Sequence, residues 1–98
     1  MPYVYIKKST KPNKKLMATF VRHDKTKKTI HFGQAGADDY TITKDKQQRK
    51  RYLDRHRKNE DWNKPESAGA LSKYILWGKS TSKNENIKEF KKRFKYVN

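Results

Sequence analysis

Residues 15–21 read KLMATFV, and this short stretch decides how the first third of the chain folds. Leu16, Ala18 and Phe20 alternate with the residues between them, so that an extended backbone places all three side chains on one face. Period-2 alternation of this kind is typical of a strand with one buried side. The stretch therefore predicts a β-strand whose apolar face belongs to the core.

Two further segments with strand character flank this stretch, at residues 3–6 (YVYI) and 29–33 (TIHFG). Both are rich in aromatic or β-branched residues, which favour strands. The connections at residues 10–13 (TKPN) and 24–27 (DKTK) are polar and short, as in turns and hairpin loops. Together these segments predict a three-stranded antiparallel meander over residues 2–34.

The first helix is predicted to begin after Thr43, which has the side chain of an N-cap residue. Asp45 then falls in the first turn, where the helix dipole favours a carboxylate. At 100° per residue, Tyr52, Leu53 and His56 share one arc, and basic residues cover the opposite side. The pattern indicates a helix that is half core element and half cationic ridge.

The second predicted helix contains residues 67–77 (SAGALSKYILW), the least charged stretch of the chain. Asn63 and Glu66 stand in capping-box register before it, and the proline between them suits a first turn. Gly78 has the position of a C-cap. Because small residues such as Gly69 allow another backbone to approach closely, we expect this to be the central helix.

A third helix is predicted to start near Ser82, with Glu85 three residues later. Its apolar residues are spaced three, four and three apart, which places them in one stripe: Ile87, Phe90, Phe94 and Val97. The whole chain, residues 1–98, is thus expected to form one small domain of the α+β class. An N-terminal three-stranded antiparallel β-sheet is followed by three α-helices packed on one side.

Charge is the most unusual property of the sequence. Lys and Arg number 26 and Asp and Glu number 10, which gives a formal net charge of +16. Residues 1–43, 44–64 and 65–98 carry +6, +5 and +5, so that no third is neutral and no basic tail stands apart. A magnitude of roughly 2–8 suffices for solubility of a small domain. Because spread like charges repel one another, we expect an anionic partner that contacts more than one face.

Several classes of protein are disfavoured by composition. The absence of cysteine excludes a disulfide scaffold, a thiolate metal site and a cysteine nucleophile. No apolar run approaches the ~18 residues of a membrane span, and the first residues lack the apolar core of a signal peptide. A chain of 98 residues is also too short to predict a deep ligand cleft. We therefore expect a soluble, intracellular type of protein without membrane contact.

Catalytic and metal-binding constellations are weak in this sequence. His23, His31 and His56 are the only imidazoles, and none has the partners that nucleophilic catalysis requires. The carboxylate pairs at residues 38–39 and 60–61 could hold Mg²⁺ in a nuclease, although caps or partners of nearby Arg are the more usual roles of such carboxylates. The sequence predicts no enzyme, no cofactor and no metal site.

The glycines at positions 33 and 36 do not form a phosphate-binding loop. Residues 33–36 read GQAG, and the Gly-Lys-Ser/Thr that completes such a loop is missing. We expect an irregular segment over residues 33–39.

Several short motifs of the sequence resemble, in the same order, those of a family of small basic uncharacterised proteins encoded by large nucleocytoplasmic DNA viruses (giant viruses). The resemblance covers roughly residues 16–95, and its motifs are HFG at 31–33, DYT at 39–41, KD at 44–45, RY at 51–52, RH at 55–56, NEDWNKP at 59–65, AGALS at 68–72 and ILW at 75–77. It implies a viral origin and a place in the virion, in its genome-containing core, after a period in the host cytoplasm or viral factory. It implies no particular activity.

The basic residues favour binding of double-stranded DNA. Residues 49–51 (RKR) and 55–58 (RHRK) place seven basic groups within ten positions, and their exposed members share one helical ridge. Lys and Arg that neutralise phosphates release condensed counterions whatever the base sequence. We expect contacts to the phosphate backbone, and the candidate residues are Lys25, Lys27, Lys28, Lys44, Lys50, Arg51, Arg55, Lys58, Lys88, Lys92 and Lys95.

The expected function is therefore sequence-independent packaging or condensation of a viral genome by a nucleoid protein. Basic groups in every third of the chain would allow one molecule to bridge two duplexes. The alternatives are binding of RNA or single strands, with Tyr3, Tyr5 and Phe32 as stacking platforms, a capsid inner-layer protein, and a solvated helix without a ligand. The sequence also leaves a homo-oligomer open.

Overall fold

The predicted meander is present. In the computed structural model, which describes residues 2–97, strands β1 (Tyr3–Lys8), β2 (Lys14–Val21) and β3 (Lys27–Gln34) form one antiparallel sheet. Their order is β1-β2-β3, so that each strand pairs with its neighbour in sequence. The expectation of a three-stranded antiparallel sheet at the N-terminus is confirmed.

The two faces of the sheet differ in burial. Val4 pairs with Phe20, and Leu16 pairs with Phe32, which places these side chains on one face. Val4, Phe20 and Phe32 are almost completely buried, whereas Tyr5 on the opposite face is 49% exposed. The period-2 pattern of β2 therefore identified the core-facing side correctly.

Within residues 2–97, four α-helices and one π-helical turn follow the sheet. The helices are α1 (Tyr40–Thr43), α2 (Lys46–His56), α3 (Ala68–Leu71) and α4 (Lys83–Arg93), and the π-helical turn (Ser72–Leu76) continues α3 directly. This arrangement confirms the α+β class. The structure adds α1, which the sequence reading did not separate from the first predicted helix.

The first predicted helix starts two residues later than expected. Thr43 is the last residue of α1, which Asp39 caps by accepting a hydrogen bond from the Thr41 amide. Lys44 then adopts a left-handed conformation with φ 58°, which ends α1. Asp45 is the N-cap of α2 and accepts from the Gln47 and Gln48 amides. The prediction of Thr43 as the cap is wrong because a carboxylate two residues later makes the stronger cap.

The second predicted helix also begins differently. Ser67, and not Asn63, caps α3, because its hydroxyl oxygen accepts from the Ala70 amide at 3.2 Å. The Glu66 carboxylate does not close a capping box. It accepts two hydrogen bonds from the Arg22 guanidinium, at 3.1 and 2.5 Å. This ion pair joins residues 44 positions apart, a contact that local pattern cannot predict.

The central position of the second helix is confirmed. Leu71, Ile75 and Leu76 are buried in the core cluster, together with Phe20 of the sheet and Phe90 of α4. The role expected for Gly69 is wrong in detail. A Cβ atom at this position would lie 3.0 to 3.3 Å from side-chain atoms of Glu60, and not against another helix backbone.

The π-helical turn ends where the sequence predicts a helix end. The Trp77 amide donates to the Ser72 carbonyl, which is the i→i+5 bond of a π-helix. Gly78 follows this turn, but it is not in the left-handed conformation of a glycine cap. Glycine is needed there because a Cβ atom would lie 2.3 Å from the Tyr74 carbonyl oxygen and 2.6 Å from the Asn86 side chain.

The start of α4 agrees with the prediction, because the Ser82 hydroxyl accepts from the Glu85 amide at 3.3 Å. Phe90 is buried, and Ile87 and Phe94 pack against the core at its edge. The helix ends at Arg93, so that Val97 is not part of the stripe. It forms a bridge with Tyr3 of β1 and stays 40% exposed. No helix within residues 2–97 combines the length and the apolar character that a bilayer span requires.

Candidate nucleic-acid interface

All eleven predicted contact residues have exposed side chains. Within residues 2–97, only two of them have a carboxylate oxygen within 4.0 Å. Lys50 pairs with Asp54 at 2.9 Å, and Lys88 lies 3.7 Å from Glu85. The other nine have no such partner in this part of the chain. The cations are thus free to contact an external anion.

The hairpin group consists of Lys25, Lys27 and Lys28, at the turn between β2 and β3. Lys25 sits in the turn with φ 68°. The Asp24 carboxylate accepts hydrogen bonds from the Thr26 amide and hydroxyl, which lower its pKa. Because successive strand residues point to opposite faces, Lys27 and Lys28 project on different sides of the sheet.

The α2 group consists of Lys44, Lys50, Arg51, Arg55 and Lys58. No residue of α2 is buried, so that the helix lies on the outside of the fold. An aromatic stack attaches the helix to the rest of the fold. The ring centroids of Tyr52 and Trp77 are 4.2 Å apart with an interplanar angle of 6°, and those of Tyr52 and His56 are 4.1 Å apart. The exposed side of α2 is basic, as the predicted cationic ridge requires, whereas the predicted core arc is only half-buried, with Tyr52 packing against the core cluster.

Arg49 does not belong to this ridge, although it begins the run at residues 49–51. Its Nε donates to the Trp77 and Gly78 carbonyl oxygens, both at 3.0 Å, and its guanidinium lies 5.7 Å from the centre of the Tyr40 ring. Arg49 therefore fixes α2 to the end of the π-helical turn.

The α4 group consists of Lys88, Lys92 and Lys95. These side chains remain in solvent, as predicted, while Phe90 on the same helix is buried. Lys95 lies just beyond the helix, with φ 62°. The chain then returns to the hairpin end of the sheet, where Tyr96 packs 5.6 Å from Phe20.

The structure does not combine the three groups into one patch. The hairpin group lies at one end of β2, and α2 lies near the other end, where Arg55 and Lys14 line the same cleft. Eight strand residues span about 23 Å, and the molecule measures 41 × 28 × 25 Å. The sequence did not indicate that Lys14 lies near Arg55, because the two residues are 41 positions apart.

Two of the three histidines, His31 and His56, have hydrogen-bond partners within the fold. The Nδ1 atom of His56 lies 2.9 Å from Glu60 Oε1, and Glu60 Oε2 accepts from the Trp62 indole at 2.8 Å. His31 Nδ1 lies 2.7 Å from the Ser9 hydroxyl. His23 is exposed beside the hairpin. The contacts of His31 and His56 are thus hydrogen bonds within the fold.

Three of the four carboxylates considered for Mg²⁺, Asp39, Glu60 and Asp61, accept hydrogen bonds within the fold, whereas Asp38 is exposed. Asp39 is only 2% exposed; it accepts from the Lys15 ammonium at 2.6 Å and from the amide and hydroxyl of Thr41. Glu60 binds His56 and Trp62 as described. Across residues 2–97, no three His, Cys, Asp or Glu side chains gather as a metal-binding group.

The three proposed stacking platforms have different environments. Phe32 is completely buried and cannot stack on a base. Tyr3 and Tyr5 pack edge to face with ring centroids 5.2 Å apart, and Tyr5 remains about half exposed on the open face of the sheet. One aromatic ring of the three is therefore accessible to a substantial degree.

A further group of cations was not predicted at all. A cavity of about 460 Å³ lies between the π-helical turn and α4, although the length of the chain predicts no deep cleft. It is lined by Arg49, Lys73, Tyr74, Gly78, Lys79, Ser80, Glu85, Asn86, Glu89 and Arg93. The four basic residues come from separate parts of the sequence, so that no local run of basic residues indicates this cluster.

A family described as a family of unknown function (DUF5754) matches residues 4–56. The matched region contains nearly all of the sheet, α1 and α2, and thus includes the hairpin group and most of the α2 group. No curated protein and no solved structure matches the chain significantly.

Proposed function

The chain belongs to the DUF5754 family, whose function is unknown, and from the arrangement of its basic side chains we propose that it binds double-stranded DNA through the phosphate backbone. Binding does not depend on base sequence, and the protein packages long DNA such as a viral genome. No catalytic step is part of this proposal.

The observation that carries the proposal is the set of nine exposed cations without a carboxylate partner within residues 2–97. They belong to the hairpin, α2 and α4 groups, so that repulsion acts over the whole molecule. A protein with this distribution is destabilised at low salt unless a polyanion neutralises it. Duplex DNA supplies closely spaced phosphates, and each contact releases condensed counterions.

The outward face of α2 favours phosphate contacts over base readout. Base edges are read mostly by Asn, Gln or Arg placed in a groove. The Gln48 side chain accepts from the Thr43 hydroxyl at 2.7 Å and so supports the start of α2. Gln47 is then the only other amide side chain of α2, and the exposed residues of the helix are otherwise Lys, Arg and Asp54. Such a face suits the sequence-independent part of DNA recognition.

The test is the salt dependence of binding to a duplex of random sequence, measured by fluorescence anisotropy. If about 5–8 phosphates are neutralised, the slope of log K against log salt is roughly −5 to −7. Arg51→Ala and Arg55→Ala should each make the slope shallower by about one. Both variants should weaken binding to two unrelated duplexes equally.

Lys83→Ala is the matched control, since Lys83 is exposed on α4 but lies outside the three groups. It should alter the slope less than either arginine variant. A wild-type slope shallower than about −2 would contradict charge neutralisation. Loss of binding to one duplex only would indicate base readout.

Single-stranded DNA and duplex RNA belong in the same experiment. A preference for single strands that disappears in Tyr5→Ala would replace the proposal with base stacking on the open face of the sheet. We expect instead that Tyr5→Ala leaves duplex binding unchanged, because duplex bases are not available for stacking.

A further inference from the structure

The cavity beside the π-helical turn is lined by four cations, and three of them are held in place without being neutralised. Arg49 is fixed through Nε by the Trp77 and Gly78 carbonyls. Its two terminal amino groups make no hydrogen bond with residues 2–97. They can therefore donate in parallel to an anion, the geometry that a guanidinium offers to phosphate.

Aromatic rings hold two of the other cations. The Lys73 ammonium lies 4.9 Å from the centre of the Trp62 ring and 4.1 Å from that of Tyr74. The Arg93 guanidinium lies 4.7 Å from the centre of the Tyr74 ring. Cation–π contacts position a charge but leave it uncompensated. The side chains are thus preorganised while their charge remains available.

The charges in this cavity repel one another in the free protein. Within the described residues, none of the four cations has a carboxylate within 4.0 Å. Burial lowers the pKa of Lys73, and the nearby Arg93, Arg49 and Lys79 lower it further. Glu85 and Glu89 also line the cavity, and Glu85 lies 3.7 Å from Lys88. Four cations against two carboxylates leave the cavity positive.

The walls of the cavity are built by an unusual local structure. The π-helical turn contributes Lys73 and Tyr74, and π-helical turns occur frequently at functional sites. Asn86 of α4 is buried; it donates to the Ile75 and Ser80 carbonyls, at 2.9 and 2.7 Å. These bonds hold the turn, the following loop and α4 together around the opening.

We propose that this cavity binds a small ligand that contains two or more linked phosphoryl groups, such as a nucleoside triphosphate or a short inorganic polyphosphate. A chain of phosphates presents several negative charges, which can engage Arg49, Lys73, Lys79 and Arg93 together. The cavity volume of about 460 Å³ lies within the range of small-molecule sites. A chain of linked phosphates offers more acceptor oxygens to these four side chains than a single small anion does.

A DNA duplex does not fit this site as well as a small ligand does. Lys73 is half-buried within a concavity, whereas the phosphates of a duplex lie on a convex surface. The residues of the cavity are also distinct from the hairpin, α2 and α4 groups. The ligand site is therefore independent of the proposed DNA binding.

The test is isothermal titration of the full chain with tripolyphosphate and with ATP, at 150 mM salt without added metal. We expect one site per chain, with inorganic monophosphate binding more weakly. Because charge-assisted hydrogen bonds are strong, Lys73→Gln and Arg93→Gln should each weaken binding by about tenfold or more. The matched control is Lys83→Gln, an exposed lysine of α4 that does not line the cavity.

The two ligands distinguish the source of the phosphate chain. Equal affinity for tripolyphosphate and ATP supports recognition of the chain alone, and tighter binding of ATP supports an added contact with the nucleoside. Circular dichroism verifies the fold of each variant, and the exposed Arg93 provides the second test if Lys73→Gln does not fold.

Three results would overturn the proposal. The first is binding of many ligands per chain, and the second is an equal loss of affinity in Lys73→Gln and Lys83→Gln. The third is a loss of duplex DNA affinity that is larger in Lys73→Gln than in Lys83→Gln, which would assign the cavity to the DNA surface. A failure of DNA binding in the wild type would leave this site unaffected.

Discussion

Tyr52 attaches α2 to the rest of the fold. Its ring lies between Trp77 and His56, and this stack replaces the buried aliphatic contacts that α2 does not have. Burial raises the pKa of Tyr52 to about 12, and the negative charge of Glu60 adds to this effect. The folded protein therefore favours the neutral phenol.

The raised pKa of Tyr52 predicts a specific loss of stability at high pH. An unfolded tyrosine ionises near pH 10, whereas the folded one keeps its proton until about pH 12. The contribution is fully present below pH 10 and is lost as the pH rises to about 12. In urea unfolding, the free energy of unfolding of Tyr52→Phe should fall less steeply over this pH range than that of the wild type. Parallel curves for the two proteins would contradict this assignment.

At the level of elements, the Asn86 side chain connects α4 to the π-helical turn by a hydrogen bond. Asn86 is 2% exposed, and its amide satisfies the Ile75 and Ser80 carbonyls while accepting from the Ser80 amide at 3.0 Å. Gly78 packs directly against this side chain. This buried polar residue, which precedes the apolar stripe of α4, thus has a structural function.

Asn86→Asp should be strongly destabilising. The carboxylate can no longer donate to the two carbonyls and would face them with like partial charge, at a cost of about 3 kcal/mol or more. Relative to the wild type, the loss should shrink toward acidic pH, because a protonated carboxyl donates one hydrogen bond. Urea unfolding at pH 5 and pH 8 measures both effects.

Asn84→Asp is the control for this experiment. Asn84 is exposed in the first turn of α4, where a negative charge is favourable to the helix dipole. Its stability should change by less than about 0.5 kcal/mol. Equal destabilisation by both substitutions would show that the buried hydrogen bonds are not the cause.

At the scale of the whole molecule, the basic groups occupy both ends of an elongated body. The hairpin group and the end of the α4 group lie toward one end of the sheet, and α2 lies near the other. A protein that is basic on one side only coats a duplex. A protein that is basic at both ends can bind two duplexes and reduce their mutual repulsion.

This arrangement predicts condensation of long DNA near charge equivalence, reversible by salt. Light scattering and single-molecule extension should both report compaction. Replacing Lys25, Lys27 and Lys28 together by Gln should leave the α2 group able to bind, but should reduce compaction at equal DNA occupancy. DNA that is saturated with wild-type protein yet stays extended would show coating without bridging.

Replacing Lys11, Lys64 and Lys83 together by Gln removes the same charge from exposed positions outside the three groups. This control should compact DNA more than the hairpin variant does. If the two triple variants behave alike, net charge and not its placement governs condensation.

Local sequence patterns predict the sheet, the approximate positions of the main helices and the exposure of the eleven candidate contact residues. The alternation of Leu16, Ala18 and Phe20 follows from the two-residue repeat of a strand, and the burial of Leu71 and Phe90 follows from local apolar spacing. The exposure of unpaired Lys and Arg follows from the high cost of burying charge. Each of these properties depends on neighbours within a few positions.

The partner of Glu66, the role of Arg49 and the cavity follow only from the tertiary structure. Glu66 completes a local capping pattern but binds Arg22, and Arg49 completes a basic run but binds the Trp77 and Gly78 carbonyls. In both cases a partner distant in sequence offers the better hydrogen bonds. The cavity unites residues 49, 73, 79 and 93, because the π-helical turn and α4 pack together only when the core forms.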